Sequence, residues 1–417
     1  MDELSYTRGM HVVFIEPRFP ANQRHFVRAL KEVGATVTAI GEGSKDSLSG
    51  DMRSWLTHYE QVNSVVNEEA VLNAARFIHA RKKIDRIEAV VEAHIMPTAH
   101  VREALGIAGT SARSAWLCRD KPSMKELLRK GGVSCAQSTA AGSIDEIVAF
   151  AKEVGFPLII KPRDGAGASG TSRVTNLAEL NQAAKALGVD KGRSVAVEEF
   201  IEGHEGFYDT ISIGGRVVLD FATHYYPNVL EAMRTRWISP QFVTTNRVDS
   251  APAYQELKAM GAKVVELLDL GTSATHMEWF SGPKGLKFSE IGCRPPGVRA
   301  WDLYNVANDL DLYREWAMAL VHHRPSARPS RRFATGIIAL RPECDGQITG
   351  YDGLGRIEQA FGQWIIDAHL PAAGTPTQPV SAGYMANAWM RFKHPDFDEL
   401  RRMLDAVGQT VKVRARE

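Results

Sequence analysis

Two glutamates, Glu278 and Glu290, sit in neighbouring apolar runs, THMEWF and LKFSEIG, with the turn-forming SGPKG between them. A hairpin through that turn brings the two carboxylates side by side on one face of a sheet. Like charges held that close repel unless a cation lies between them. Mg2+ bound by one or two carboxylates plus phosphate oxygens suits such a pair. Arg294 follows four residues after Glu290, in SEIGCRPPG, where a guanidinium could stabilise a pentavalent or tetrahedral anion beside the metal. The plain alternative is an edge hairpin with both glutamates turned to solvent.

A second set of residues points to phosphate. The apolar run FPLIIKP ends in Lys161 and is followed at once by DGAGASG, in which Gly165, Gly167 and Gly170 match GxGxxG. A dinucleotide fingerprint needs a helix to open at the end of that loop, but the residues after Gly170 are TSRVT, which favour a strand. The loop therefore joins two strands, which argues against NAD. It can still close over a triphosphate, because glycine N–H groups approach phosphate oxygens without obstruction; a flexible hairpin tip is the alternative. Lys121 opens a helix behind Asp120, a second position from which an ammonium reaches an anion. In VEEFIEGHE, the stretch Glu198, Glu199, Phe200 and Ile201 offers backbone groups to an adenine edge, and Glu205 could accept from ribose hydroxyls. Either lysine alone is more often a solvated surface residue, and VEEFIEGHE alone is more often an amphipathic strand and turn.

The elements that must position these groups follow from periodicity. HVVFIE and ATVTAIG read as strands around a helix over 21–33, the start of a parallel βαβ layer. A helix over 68–81 and a buried strand IEAVVEA follow, and then a loop around Pro97. Further helices are expected over 144–154, over 177–187 behind the cap Asn176, over 254–268, over 301–321 and over 396–407. Strands are expected at SVAVEEFI and on both sides of Gly214-Gly215.

Composition limits the classes of function. The 417 residues are 44% hydrophobic and 24% charged with a formal net charge of +1, an ordinary globular balance with no overall field for nucleic acid. Cys118, Cys135, Cys293 and Cys344 lie far apart with no CxxC pair, which suits a reduced setting. The first apolar run is short and meets Pro17, so neither a signal peptide nor a membrane span is expected, and the protein is expected in the cytoplasm.

In their order and spacing, RDKPSMKELLRKGGV, FPLIIKPRDGAGASG, VEEFIEGHE, HMEWF and SEIGCRPPG resemble the ATP-grasp superfamily over residues 120–306. The EIGxRPPG form is similar to the branch of carboxylate-amine ligases that joins amino acids into dipeptides. The resemblance implies an α/β fold of the α+β grasp type in three parts: an N-terminal parallel α/β domain (1–115), a linker helix and small lid (116–196), and a C-terminal antiparallel-sheet domain (197–417) clasping ATP. It further implies that Lys121 and Lys161 bind phosphates, that the loop with Gly165, Gly167, Ser169 and Gly170 closes over the γ-phosphate, and that Glu198, Glu199 and Ile201 hold adenine with Glu205 on the ribose. Glu278 and Glu290 would bind Mg2+, with Mn2+ able to replace it, and Arg294 would stabilise the acyl phosphate, with Lys161 as its catalytic companion. The usual third metal ligand, an asparagine two residues after the second glutamate, is Gly292 here. Substrate contacts are expected from Arg294, Arg299, Trp301 and His276, and also from residues 16–18 and 225–236. The implied activity is ATP-dependent amide formation through an acyl phosphate, releasing ADP and phosphate. Small-molecule carboxylate and amine substrates are expected, with no nucleic acid or membrane and with a homodimer compatible. Activation of a one-carbon acid, as in carboxylases and purine synthesis, and a non-catalytic nucleotide-binding regulator are the competing readings.

Overall fold

A computed structural model describes residues 9–163 and 170–417. Gly165, Gly167 and Ser169 lie outside the described residues. The first apolar runs form β1 (His11–Ile15), β2 (Thr36–Gly41), β3 (His58–Gln61) and β4 (Arg86–Glu88), a parallel sheet in the order β3-β2-β1-β4. All five residues of β1 are buried, as expected for a strand covered on both faces.

The lid is a second, antiparallel sheet of β5 (Ser138–Ala141), β6 (Leu158–Pro162), β7 (Ser172–Val174) and β8 (Val195–Glu199), ordered β5-β8-β6-β7. Helices Ile144–Val154 and Leu177–Ala186 cover it, the second capped by Asn176, whose side chain accepts from the Glu179 amide. Ile147, Leu158, Ile160, Leu180, Val195 and Val197 give the lid a small core of its own.

The third part is built on β9 (His204–Ile213), β10 (Arg216–Tyr226), β11 (Gln241–Thr244), β12 (Ser273–Gly282), β13 (Gly285–Gly292), β14 (Ala334–Leu340), β15 (Gln347–Asp352), β16 (Ile365–His369), β17 (Ala388–His394) and β18 (Lys412–Arg416). Eight of them make one antiparallel sheet, β13-β12-β9-β10-β11-β14-β17-β16, while β15 and β18 pair separately. First and third parts share a core: Phe26 of helix Gln23–Glu32 packs 5.2 Å from Trp301 and 5.1 Å from Trp316. Among the described residues no helix is long and apolar enough to cross a membrane.

Three expectations are corrected. Residues around Pro97 are not a loop but the middle of helix Glu92–Leu105, where burial of Ile95, Ala99 and Val101 outweighs one lost backbone bond. The helix over 301–321 divides into Ala300–Asn308 and Leu312–His322. Asp309 is left-handed at φ 52°, and Asp311 caps the second helix on the Arg314 amide. The chain continues past helix Phe397–Thr410 into β18, an alternating strand pinned to β15.

Candidate active site

The hairpin of β12 and β13 places Glu278 directly opposite Glu290, with a register shift immediately after Glu278. The two carboxylates do not titrate alike. Burial, then the charges of Glu290 and Glu205, push Glu278 up to about 8. Glu290 is buried as deeply, but the ammonium groups of Lys161 and Lys121 hold it below the usual carboxylate range. Lys161 Nζ lies 3.8 Å and Lys121 Nζ 3.5 Å from Glu290 Oε2.

Local structure explains how those lysines arrive. Lys161 is the fourth residue of β6, and Lys121 is the first of helix Lys121–Lys130. Asp120 caps that helix on the Ser123 amide and also accepts from Arg163 Nε at 2.9 Å, while the Lys121 amide donates to the Arg163 carbonyl. Helix start and strand end are thereby fixed side by side. Lys125, one turn further along the helix, is 1% exposed and pairs with Glu198 at 2.7 Å; Lys161 meets the same Glu198 oxygen at 3.0 Å. Against the cost of burial, these two cations hold Glu198 down to about 2. The other oxygen, Oε1, is buried with no partner among the described residues and belongs to a side chain that lines the cavity. Sequence reading missed Lys125. Its signal was the i,i+4 spacing from Lys121, which puts both on one helix face.

Between lid and large sheet lies a cavity of about 500 Å³, lined by Lys121, Lys125, Lys161, Glu198, Glu205, Glu278 and Glu290 among others. That is the size of a site for a nucleotide. Glu199, Phe200 and Ile201 form its edge; the Glu199 side chain is held by Lys284 and the Gln137 amide, and the Phe200 amide donates to the Pro157 carbonyl. Glu205 Oε2 accepts from the Val229 amide at 2.7 Å, yet burial still lifts this carboxyl to about 7. Asn228, Val229, Leu230, Glu231, Arg234 and Thr235 complete the wall, a part of the 225–236 segment. At the foot of the glycine loop Gly170 has φ +69°, and an added Cβ would lie 3.1 Å from Pro162.

None of the remaining candidates lines this cavity. Arg294 Nε donates to Glu92 Oε2 at 2.7 Å, and Arg119 approaches the same carboxylate at 3.7 Å, so Arg294 faces the junction with the first domain. Gly292 underlies that pair: a Cβ there would meet Glu92 Oε2 at 3.5 Å. His276, opposite Gly292, hydrogen-bonds through Nδ1 to Asp209 at 2.7 Å, and its Nε2 lies 3.8 Å from Glu278 Oε1. Burial lowers its basicity, but the Asp209 carboxylate prevails and the net shift is upward. Arg299, left-handed at φ 56°, pairs with Asp302 at 2.5 Å. Trp301 is 4% exposed and packs on Phe26 and Tyr313, away from the cavity. Glu16, on the 16–18 loop, spends its carboxylate on the backbone amides of Glu42 and Arg18.

The donor set fits a hard divalent cation bound together with phosphates. Burial, and after it the charge of Glu290, raises the Glu278 carboxyl, and a cation between the two would oppose that. Among the described residues no three His, Cys, Asp or Glu side chains are already gathered around one point. Nucleotide oxygens would have to complete the shell.

Comparison with known proteins agrees with this geometry. Residues 126–303 match the family model described as the ATP-grasp domain. An L-arginine-specific L-amino acid ligase of Bacillus subtilis is 25% identical over 249 residues, 58% of this chain and 59% of the relative. An alanine–anticapsin ligase of Bacillus subtilis (strain 168) is 27% identical over 214 residues, 46% and 44% of the two chains. The chain thus spans about half the length of the curated relatives it matches. Among solved structures, an L-amino acid ligase from Bacillus licheniformis superposes with a TM-score of 0.75 at 16% identity, covering 98% of this chain and 100% of the other. An N5-carboxyaminoimidazole ribonucleotide synthetase from Thermotoga maritima shares the fold at a TM-score of 0.67 and 15% identity, covering 98% and 100%. The ordered series of residues, the two antiparallel sheets and the match over residues 126–303 agree: this part of the chain is similar to the ATP-grasp domain, and it follows a parallel α/β domain.

Proposed function

We propose that this protein is an ATP-dependent, ADP-forming ligase that joins a carboxylate to an amine through an acyl phosphate, with amino acids as its substrate class. One observation carries the reading: Glu278 and Glu290 face each other at a cavity of nucleotide size into which Lys121 and Lys161 also reach. Bound Mg2+ would supply charge neutralisation at the phosphates, with Glu278 and Glu290 as its protein ligands.

Lys121 and Lys161 bind the α- and β-phosphates. Both now lean on Glu290 and would exchange that carboxylate for phosphate oxygens. The unpartnered Glu198 Oε1 accepts from the adenine amino group, the backbone at Glu199 and Ile201 reads the adenine edge, and Glu205 Oε1 takes the ribose. The substrate carboxylate attacks the γ-phosphorus and ADP leaves; the amine then attacks the acyl carbon and phosphate leaves. Arg294 stabilises both the acyl phosphate and the tetrahedral species. Positioning and charge do most of this work, and closing of the lid keeps water from the acyl phosphate. Similarity to relatives named as amino acid ligases supports amino acids over a one-carbon acid.

The test is incubation of the purified protein with MgATP and pools of amino acids. Phosphate release that depends on a particular pair, with an amide of matching mass, supports the ligase. Release that depends on bicarbonate and yields no amide overturns it.

A further inference from the structure

The ladder that holds Glu278 carries one more group for the metal. β12 lies between β9 and β13, and its register sets His276 opposite Asp209 on one side and Gly292 on the other. Two residues on, Glu278 stands opposite Phe207 and Glu290. His276 and Glu278 therefore project from the same face of the sheet. Gly292 offers no donor at the rung where His276 stands.

The imidazole is held in one orientation. Its Nδ1 is hydrogen-bonded to Asp209 Oδ1 at 2.7 Å, and Tyr304 donates its hydroxyl to the other oxygen of Asp209. Asp209 is 1% exposed and Tyr304 fully buried, so neither partner exchanges freely with water. Phe207 packs edge-on against the ring, with centroids 5.0 Å apart. With Nδ1 donating to the carboxylate, the lone pair of the neutral ring is on Nε2, on the side of Glu278. The Nε2–Oε1 separation of 3.8 Å is too long for a hydrogen bond. Two neighbouring ligands of one octahedral ion, each about 2.1 Å from it, lie about 3 Å apart, so less than an ångström of adjustment would let Nε2 and Oε1 share a cation. A histidine whose far nitrogen is anchored on a buried carboxylate is the usual form of a metal-binding imidazole.

We infer that His276 is a ligand of the divalent cation, binding through Nε2 beside Glu278 and supplying the donor that Gly292 lacks. The inference rests on the nucleotide–metal reading of this site. An imidazole in the shell also makes Mn2+ a better fit than Mg2+.

Mn2+ serves as the probe. Protein carrying 15N-histidine is loaded with Mn2+ and ADP, binding of ADP is followed by calorimetry, and the electron spin echo is read for nuclear modulation. The expected result is phosphorus coupling from ADP together with coupling to one histidine nitrogen, which changes between 14N and 15N protein. In His276→Gln that nitrogen signal is lost, and Mn2+ affinity in the presence of ADP falls about tenfold or more. Phosphorus coupling without a histidine nitrogen in the native protein overturns the inference while leaving the nucleotide site intact, and so does a nitrogen signal that persists in His276→Gln. Absence of any Mn2+-dependent ADP binding overturns the nucleotide site and the ligand together. The labelled native protein decides the matter even if the variant does not fold.

Discussion

Arg294 is oriented by Glu92: its Nε donates to the Oε2 of a carboxylate 202 positions earlier in the chain, in the first turn of helix Glu92–Leu105. The guanidinium that follows β13 therefore takes its direction from a different domain. If Arg294 stabilises charge that develops during reaction, Arg294→Lys should lower kcat by about 10²–10³-fold while leaving ADP affinity near that of the native protein. Glu92→Gln should lower kcat by less, and the two effects should not add, because one residue acts through the other. Steady-state kinetics on the two single variants and the double variant check this. Native kcat in Arg294→Lys would remove the role.

Glu278 makes the metal-free protein sensitive to alkali. Its carboxyl is pushed up to about 8, so the fold favours the neutral form. The stability this contributes is complete below the ordinary carboxylate value and is lost as pH rises through about 8. Glu278→Gln keeps a neutral side chain of similar shape. In the absence of metal it should melt at a higher temperature than the native protein at pH 9, with a smaller gap at pH 6 that closes only near the ordinary carboxylate value of 4.5. Added Mg2+ and ADP should stabilise the native protein and not the variant. Thermal melts at the two pH values with and without MgADP read both effects.

Glu198 predicts the opposite slope. Its carboxyl is held down to about 2 by Lys125 and Lys161, from an ordinary value of 4.5. The stability it contributes is present above 4.5 and is lost as pH falls toward about 2. Glu198→Gln removes the ion-pair partner of the buried Lys125 and leaves Lys161 with Glu290 at 3.8 Å, and it should cost about 3–5 kcal/mol at pH 7. Urea unfolding at a series of pH values should show native and variant stabilities converging as pH falls below 4.5. A constant gap down to pH 2.5 would show that lost packing, not charge, explains the variant.

Trp301 separates packing from recognition. It lies in the aromatic cluster with Phe26 and Tyr313 that joins the first and third parts of the molecule. Trp301→Ala should cost about 3–5 kcal/mol, visible in denaturant unfolding, without changing which amino acids support phosphate release. Altered substrate preference with native stability would return Trp301 to the substrate site.

Much of the site was legible because it depends on alternation and short turns. The SGPKG turn and the period of two on either side bring Glu278 opposite Glu290. Asp120 and Asn176 mark helix starts in the sequence, and both cap helices in the structure. What escaped reading depends on surfaces that meet from distant parts of the chain. Pro97 signals a loop locally, yet its helix is kept by burial against the first domain's core. Lys125 and Trp301 show both directions of that failure. A lysine with the composition of a surface residue is buried on Glu198, and a tryptophan beside the arginine motif is spent on packing against Phe26.

The sequence by itself determined many of the strands and helices, the paired carboxylates, the lysines ahead of the glycine loop and the absence of a side-chain donor at Gly292. These follow from periodicity, turn chemistry and residue type, which act over a few positions. Only the tertiary structure decided that Glu198 is shared by two lysines, that Arg294 is aimed by Glu92 and that Asp209 and Tyr304 turn His276 toward Glu278. Each of these joins residues far apart in the chain. Their geometry is set by which sheets and helices bury one another, and no local pattern encodes that.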